Sequence, residues 1–274
     1  SDENILKILD LFDNLISNND GFIFNSHHTK LVDDIVSDIV QNIIKEYSID
    51  GFALIAVGGY GRNDLSPKSD VDLLFLYKKT NKNIKNFITS LNNSLWDVGL
   101  EVGISFLTLK QAIIDSKKDI KTVTKFAESR HLIGDEDYYG EFVRSIKILI
   151  GRMNPLKLSE KKLLELVERH DYYLGIKSNL EPQIKEGIGG LRDIHTIIWV
   201  SIFMFNILKL EDLIQINIFT SKEIKELRSA WKFLLTVRAF IHLFNDSKGD
   251  NLSIENQLKI SKKLSYRNNQ KDKG

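Results

Sequence analysis

The chain has 274 residues, 42% hydrophobic and 27% charged, with a formal net charge of +1. That describes a folded globular protein with room for two compact units, and argues against disorder or a strongly basic nucleic-acid groove. With no cysteine there are no disulfides and no thiolate chemistry; no apolar run reaches membrane-spanning length, and the first residues are acidic where a signal peptide would be basic. The expectation is a cytoplasmic monomer without membrane or nucleic-acid partners.

Apolar residues at helical spacing over 3–18 (Ile5, Ile8, Leu9, Phe12, Leu15, Ile16) and 27–47 (Leu31, Ile35, Ile39, Ile43, Ile44) predict two packing helices. His27-His28, close to Asp33-Asp34, reads as a solvated helix start and not a metal site. Phe52 to Val57 is a short apolar run, as in a buried strand, and it ends at Gly58-Gly59. Val71 to Tyr77 is a second such run. A helix is predicted from about 84 to 98. Leu100 to Phe106 then alternates, with Leu100, Val102, Ile104 and Phe106 on one face and Glu101, Gly103 and Ser105 on the other. Beyond Leu109 strand signals fade, and helices are predicted over 109–117, 120–132, 137–150, 159–177, 191–208, 221–245 and 254–264. The sheet is thus expected within 51–107. The predicted fold class is α+β: a small mixed β-sheet core with flanking helices, followed by an all-helical region. The expected units are residues 1–48, 49–135 and 136–274.

Asp70 and Asp72 open the second strand two residues apart, so the pleat puts both carboxylates on one face. Acids held that close repel unless a cation lies between them, and a divalent metal with oxygen ligands such as Mg²⁺ suits them. Gly58-Gly59, with Gly61 close by, lets backbone N–H groups approach an anion that a side chain would block. Metal-binding acids facing an anion-binding turn describe a nucleoside triphosphate site. Glu101 reaches the same place if its strand lies beside the aspartates; Asp97 and Asp193 compete with it as third carboxylate.

A second glycine stretch, Lys185-Glu186-Gly187-Ile188-Gly189-Gly190-Leu191-Arg192-Asp193, precedes the apolar segment Ile194 to Leu210. Free amides at a helix start bind phosphate, and Lys185 and Arg192 add charge. A structural reading stands level with it: glycines for close passage, Asp193 at the helix start, Arg192 paired with an acid. His195 reads as packing or helix-start hydrogen bonding. Lys121–Thr124 and Arg130-His131 lie where a helical lobe could face the sheet.

Gly-Gly, ten residues, then Asp-Val-Asp-Leu resembles the signature of the polymerase-β-type nucleotidyltransferase superfamily. The longer run GGYGRNDLSPKSDVDLLFL resembles the amino-terminal region of the bifunctional uridylyltransferase/uridylyl-removing enzymes that modify the PII nitrogen-signalling protein. LWDVGLEVGISF at 95–106, ESRHLIGD at 128–135 and SNLEPQIKEGIGGLRDIHTIIWV at 178–200 agree with it, so the likeness covers nearly the whole chain.

The resemblance implies a nucleotidyltransferase core, with UTP as donor, a tyrosine hydroxyl of trimeric PII as acceptor and two Mg²⁺ ions as cofactors. Asp70, Asp72 and Glu101 take the catalytic and metal-holding roles. Gly58, Gly59, Arg62, Ser69, Lys185, Gly189, Gly190 and Arg192 are the expected nucleotide-binding residues. The second glycine stretch is similar to one in the glutamine synthetase adenylyltransferases, which suggests a nucleotide-domain role for it. The family's downstream HD and ACT domains have no counterpart here; His170-Asp171 is a lone pair without the further histidines of an HD site. The sequence therefore reads as an amino-terminal piece. The rival readings are a protein adenylyltransferase, an inactive nucleotide-binding regulatory fragment, and a polynucleotide-tailing enzyme, the last disfavoured by near-neutral charge.

Overall fold

The computed structural model describes residues 19–79, 83–175, 180–245 and 248–264; the helix expected over 3–18 lies outside them. The chain enters through α1 (Gly21–Tyr47) and β1 (Phe52–Ala56), then makes a single helical turn, α2 (Gly58–Gly61), before β2 (Val71–Tyr77). Next come α3 (Asn83–Asp97), β3 (Val102–Leu107), α4 (Leu109–Lys118), α5 (Ile120–Ala127) and β4 (Arg130–Gly134). Helices follow to the end: α6 (Glu136–Arg152), α7 (Pro155–Gly175), α8 (Leu191–Phe205), the short α9 (Asp212–Gln215), α10 (Ser221–Phe244) and α11 (Ile254–Lys263). The fold is α+β, as the sequence implies. Among the described residues no helix is long and apolar enough to cross a membrane.

The four strands form one mixed sheet in the order β3-β2-β1-β4. β1 pairs antiparallel with β2 and β4, and β2 pairs parallel with β3. Because side chains alternate across a strand, each face has its own core. Leu54, Leu73 and Phe75 pack on Val36 and Val40 of α1 and Phe87 and Leu91 of α3. Phe75 is fully buried, stacked on Phe52 with ring centroids 5.0 Å apart and tilted on Phe87 at 4.8 Å. Burying one such ring stabilises the fold by roughly 2–3 kcal/mol. Ala53, Ile55, Leu74 and Leu76 face the other way, onto Val123 and Phe126 of α5, Phe142 of α6, and Ile198 and Ile202 of α8. The later helices thus share a core with the sheet. A third cluster joins Phe24 of α1 to Phe240 and Ile241 of α10 and Ile260 of α11.

Three expectations are corrected. The helix expected over 120–132 stops at Ala127, and 130–134 is a fourth strand, so the sheet is not confined to 51–107. β4 pairs with β1, Leu54 opposite Ile133 and Ala56 opposite Arg130, and that distant ladder overrides local helical periodicity. The helix expected over 27–47 starts at Gly21, capped by Asp20, whose side chain accepts from the Phe22 and Ile23 amides. Its first residue has no side chain because α10 passes there: a Cβ on Gly21 would lie 2.3 Å from the Thr236 nitrogen. His28 is therefore no solvated helix start. Its Nδ1 meets the Leu65 carbonyl at 2.9 Å, and Asp33 pairs with Arg130. The other helices match their expected spans to within a few residues, and the third strand starts at Val102 instead of Leu100.

Candidate active site

Asp70 immediately precedes β2 and Asp72 lies in it, on the face shared by Leu74 and Leu76. That face looks toward α5 and the later helices. The parallel register sets Asp72 opposite Gly103 and Val71 opposite Val102, and the Val71 amide donates to the Glu101 carbonyl at 2.8 Å. Glu101, one residue ahead of β3, thereby stands beside Asp70. Asp97 is exposed, the last residue of α3. Asp193 accepts from Arg169 at 2.6 Å and from the Gly189 amide at 2.8 Å, and contacts His170 at 3.0 Å. Of the three candidates for third carboxylate, Glu101 is the one beside the aspartates.

Two lysines that the sequence reading passed over hold these acids. Lys248 Nζ donates to Asp70 at 2.6 Å and also to Glu101. Lys125 Nζ, on α5, donates to Asp72 at 2.8 Å. Burial works against the charge on Lys248, but the hydrogen bonds to Asp70 and Glu101 outweigh it and hold the ammonium above the ordinary lysine range. Asp70 and Glu101 share Lys248 while Asp72 is held by Lys125, and among the described residues no group of three or more His, Asp or Glu is placed to hold one metal ion. The donor set nevertheless fits a hard divalent cation, being oxygen throughout and already next to positive charge. Space is kept open as well. A Cβ on Gly103 would come within 3.2 Å of Asp72 Oδ1, and one on Gly58 within 3.7 Å of Asp72 Oδ2.

Gly58 follows β1 with φ +60, a conformation that favours glycine. The amides of Gly61, Arg62 and Asp64 return to carbonyls of residues 57–59. Those of Gly58, Gly59 and Tyr60 have no acceptor among the described residues.

The aspartates and the glycine turn lie on one cleft of about 910 Å³. Of the expected residues, Gly58, Gly59, Arg62, Ser69, Asp70, Asp72, Lys185 and Arg192 line it, while Glu101, Gly189 and Gly190 do not. Ser69 Oγ is buried there with no hydrogen-bond partner among the described residues. Lys185 Nζ has no hydrogen bond or ion pair among the described residues; burial and the nearby Arg238 and Arg192 lower its pKa. Arg192 pairs with Glu186 at 2.6 Å and lies over the Trp199 ring. Arg62 is committed inward, to Glu128 at 2.5 Å and Asp64 at 3.3 Å. Its Nη2 donates to His195 Nε2 at 3.1 Å, which leaves the His195 proton on Nδ1, a buried atom without a partner among the described residues.

The second glycine stretch corrects the expectation of free helix-start amides. Leu191 N–H donates to the Ile184 carbonyl, Arg192 N–H to Lys185 and Asp193 N–H to Gly190, and Gly189 N–H is taken by Asp193. A Cβ on Gly187 would lie 2.4 Å from the Gln183 oxygen, and one on Gly190 2.7 Å from the Ile184 oxygen. These glycines fold the chain tightly.

The nucleotidyltransferase domain family matches residues 37–133, and the GlnD PII-uridylyltransferase family matches residues 157–274. Among similar curated proteins, the bifunctional uridylyltransferase/uridylyl-removing enzyme of Haemophilus influenzae (strain PittEE) is 36% identical over 218 residues, 79% of this chain and 25% of that protein. The enzymes of that name from Rhodospirillum rubrum and Hydrogenovibrio crunogenus are 32% and 33% identical, covering 81% and 87% of this chain and 24% and 27% of their own. The chain thus spans about a quarter of the length of these relatives.

Proposed function

We propose that this chain, which belongs to the nucleotidyltransferase family over residues 37–133 and to the GlnD PII-uridylyltransferase family over residues 157–274, transfers UMP from UTP to a tyrosine hydroxyl of PII. One observation carries the reading: carboxylates, together with amides and a lysine that have no partner among the described residues, face one cleft. The acceptor oxygen attacks the α-phosphorus, the bond to the bridging oxygen breaks, and pyrophosphate leaves. A carboxylate, Glu101 or one of the aspartates, takes the acceptor proton. In-line displacement needs positioning and charge neutralisation more than covalent help. The amides of Gly58 and Gly59 and the Ser69 hydroxyl would hold phosphate oxygens, with Lys185 and Arg192 opposing their charge. Arg62 would act from behind, fixing the glycine turn through Glu128 and Asp64. Asp70, Asp72 and Glu101 would hold the two Mg²⁺ ions, whose chemistry when bound is to neutralise the triphosphate and acidify the acceptor hydroxyl. Gly189 and Gly190 would serve by placing Lys185 and Arg192.

The test is the intact mass of purified PII after incubation with this chain, Mg²⁺, 2-oxoglutarate and each nucleoside triphosphate in turn. A uridylyl adduct with UTP alone is expected. An adenylyl adduct with ATP would move the assignment to the rival protein adenylyltransferases. Asp70→Asn with Asp72→Asn should lower transfer by about 10³-fold or more at unchanged helicity by circular dichroism.

A further inference from the structure

Three carboxylates, Asp70, Asp72 and Glu101, face two ammonium groups, each within hydrogen-bond reach. Without those cations the acids would repel one another. Both lysines are delivered by built structure. Lys125 sits on α5, whose cleft face also carries Lys121 and Thr124, with the capping residue Glu128 after them. Lys248 sits two residues before Asp250, and Asp250 is clamped: Arg238 Nε donates to it at 2.6 Å, and His242 lies at 2.9 Å. The Lys68 amide donates to His242 Nδ1, so His242 carries its proton on Nε2 and donates it to Asp250. The Ile184 amide fastens the Asp250 carbonyl at 2.8 Å.

We propose that Lys125 and Lys248 are resident counter-ions of the carboxylate cluster, which a divalent cation must displace and which then turn to the triphosphate of the incoming nucleotide. This rests on the proposed transferase reading and adds an exchange to it. The lysines offset two of the three negative charges of the cluster and at the same time weaken its hold on metal. A displaced ammonium needs a new anion, and the cleft already holds Lys185, which has no hydrogen bond or ion pair from its ammonium among the described residues. A polyphosphate supplies it. Metal and nucleotide therefore favour each other, and by linkage the coupling is equal in both directions.

The experiment is Mn²⁺ binding to the 274-residue chain, read by electron paramagnetic resonance, with and without a non-transferable α,β-imido analogue of UTP. Lys125→Met with Lys248→Met should bind Mn²⁺ about tenfold more tightly than wild type without nucleotide. The enhancement that the analogue gives to wild type should largely vanish in this variant. Lys125→Arg with Lys248→Arg keeps the charge and should keep the weak binding, which separates charge from lost packing. Unchanged Mn²⁺ affinity in the methionine variant, while Asp70→Asn with Asp72→Asn abolishes binding, overturns the counter-ion role and leaves the carboxylate site standing. Equal binding by wild type and the asparagine variant overturns both.

Discussion

The chain contains two glycine-rich turns that look alike in sequence and do opposite work. In the first, Gly58 takes a left-handed φ, and the amides of Gly58, Gly59 and Tyr60 have no acceptors among the described residues. In the second, Gly187 and Gly190 press against carbonyl oxygens and the amides around them are bonded within the turn. The first turn leaves backbone amides unbonded among the described residues. The second bonds its amides within the turn and brings side chains to the cleft instead, Lys185 and Arg192. Glycine content therefore does not locate an anion site. Unpaired amides do.

Substitution can break this contrast, most severely where glycine is structural. Gly61 belongs to the first turn but not to its open side: a Cβ there would lie 2.0 Å from the Glu128 carbonyl oxygen. Gly61→Ala should destabilise by about 3 kcal/mol or more, and Gly190→Ala by about 2 kcal/mol, both read as urea midpoints. Gly59→Ala is the counter-case, because its Cβ meets only the Arg62 guanidinium at 3.7 Å, an ordinary contact. It should change stability by less than about 1 kcal/mol and lower transfer by about tenfold or more, through the methyl group beside the open amides. A Gly59→Ala variant with full activity would remove the first turn from the nucleotide site.

Lys185 sharpens the comparison from the other side. Its charge is set against burial and two nearby arginines, with no ion-pair partner among the described residues. A structural lysine would be paired. Lys185→Met should therefore leave the urea midpoint unchanged or raise it, while the KM for nucleotide rises about tenfold. A fall in stability at unchanged KM would mark the residue as part of the fold alone.

How much of this was legible depends on the reach of each signal. The aspartate pair, the left-handed glycine and the alternation around Glu101 are short-range patterns, and the sheet register brings them together as their spacing implies. β4 was hidden because its five residues earn their hydrogen bonds from β1, more than seventy positions earlier. Lys125 and Lys248 were hidden for the same reason: nothing local distinguishes them from the other lysines, and only the packing of α5 and the Asp250 clamp brings them to the acids. Arg62 shows the converse error. Its place beside the glycines suggests phosphate, yet the buried Glu128 and Asp64 claim it, and neither is visible as a partner in a linear reading. The three carbonyl contacts that fix Gly190 also come from a fold-level turn, which is why a phosphate role and a structural role stood level there.

A part-buried contact links the two turns, and acid should loosen it. Arg62 caps the first turn and donates to His195, which lies one helical turn beyond the second. Burial lowers the pKa of His195 well below 6.5, and the surrounding Arg62, Arg192, Arg238 and Lys185 lower it further; Asp64 stands at 4.0 Å. Burial also lowers His28 and His242. The sign follows from proton counting. An unfolded chain takes up protons on these histidines as pH falls through about 6.5, the native chain does not, and so stability is present above that pH and is lost below it. Each such histidine contributes a slope of up to about 1.4 kcal/mol per pH unit. Asp250 acts later: burial raises its pKa, but the hydrogen bond from His242 and the charge of Arg238 outweigh this and hold it far below 3.8. Its stabilisation is lost only as pH falls below about 4. Urea unfolding at pH 7 and pH 5 should therefore show a histidine-driven loss, and His195→Gln, whose amide can both accept from Arg62 and donate, should flatten the slope by about one histidine's share. An unaltered slope would mean that His195 carries a proton in the folded protein, and that the link between the turns is an electrostatic one held by Asp64.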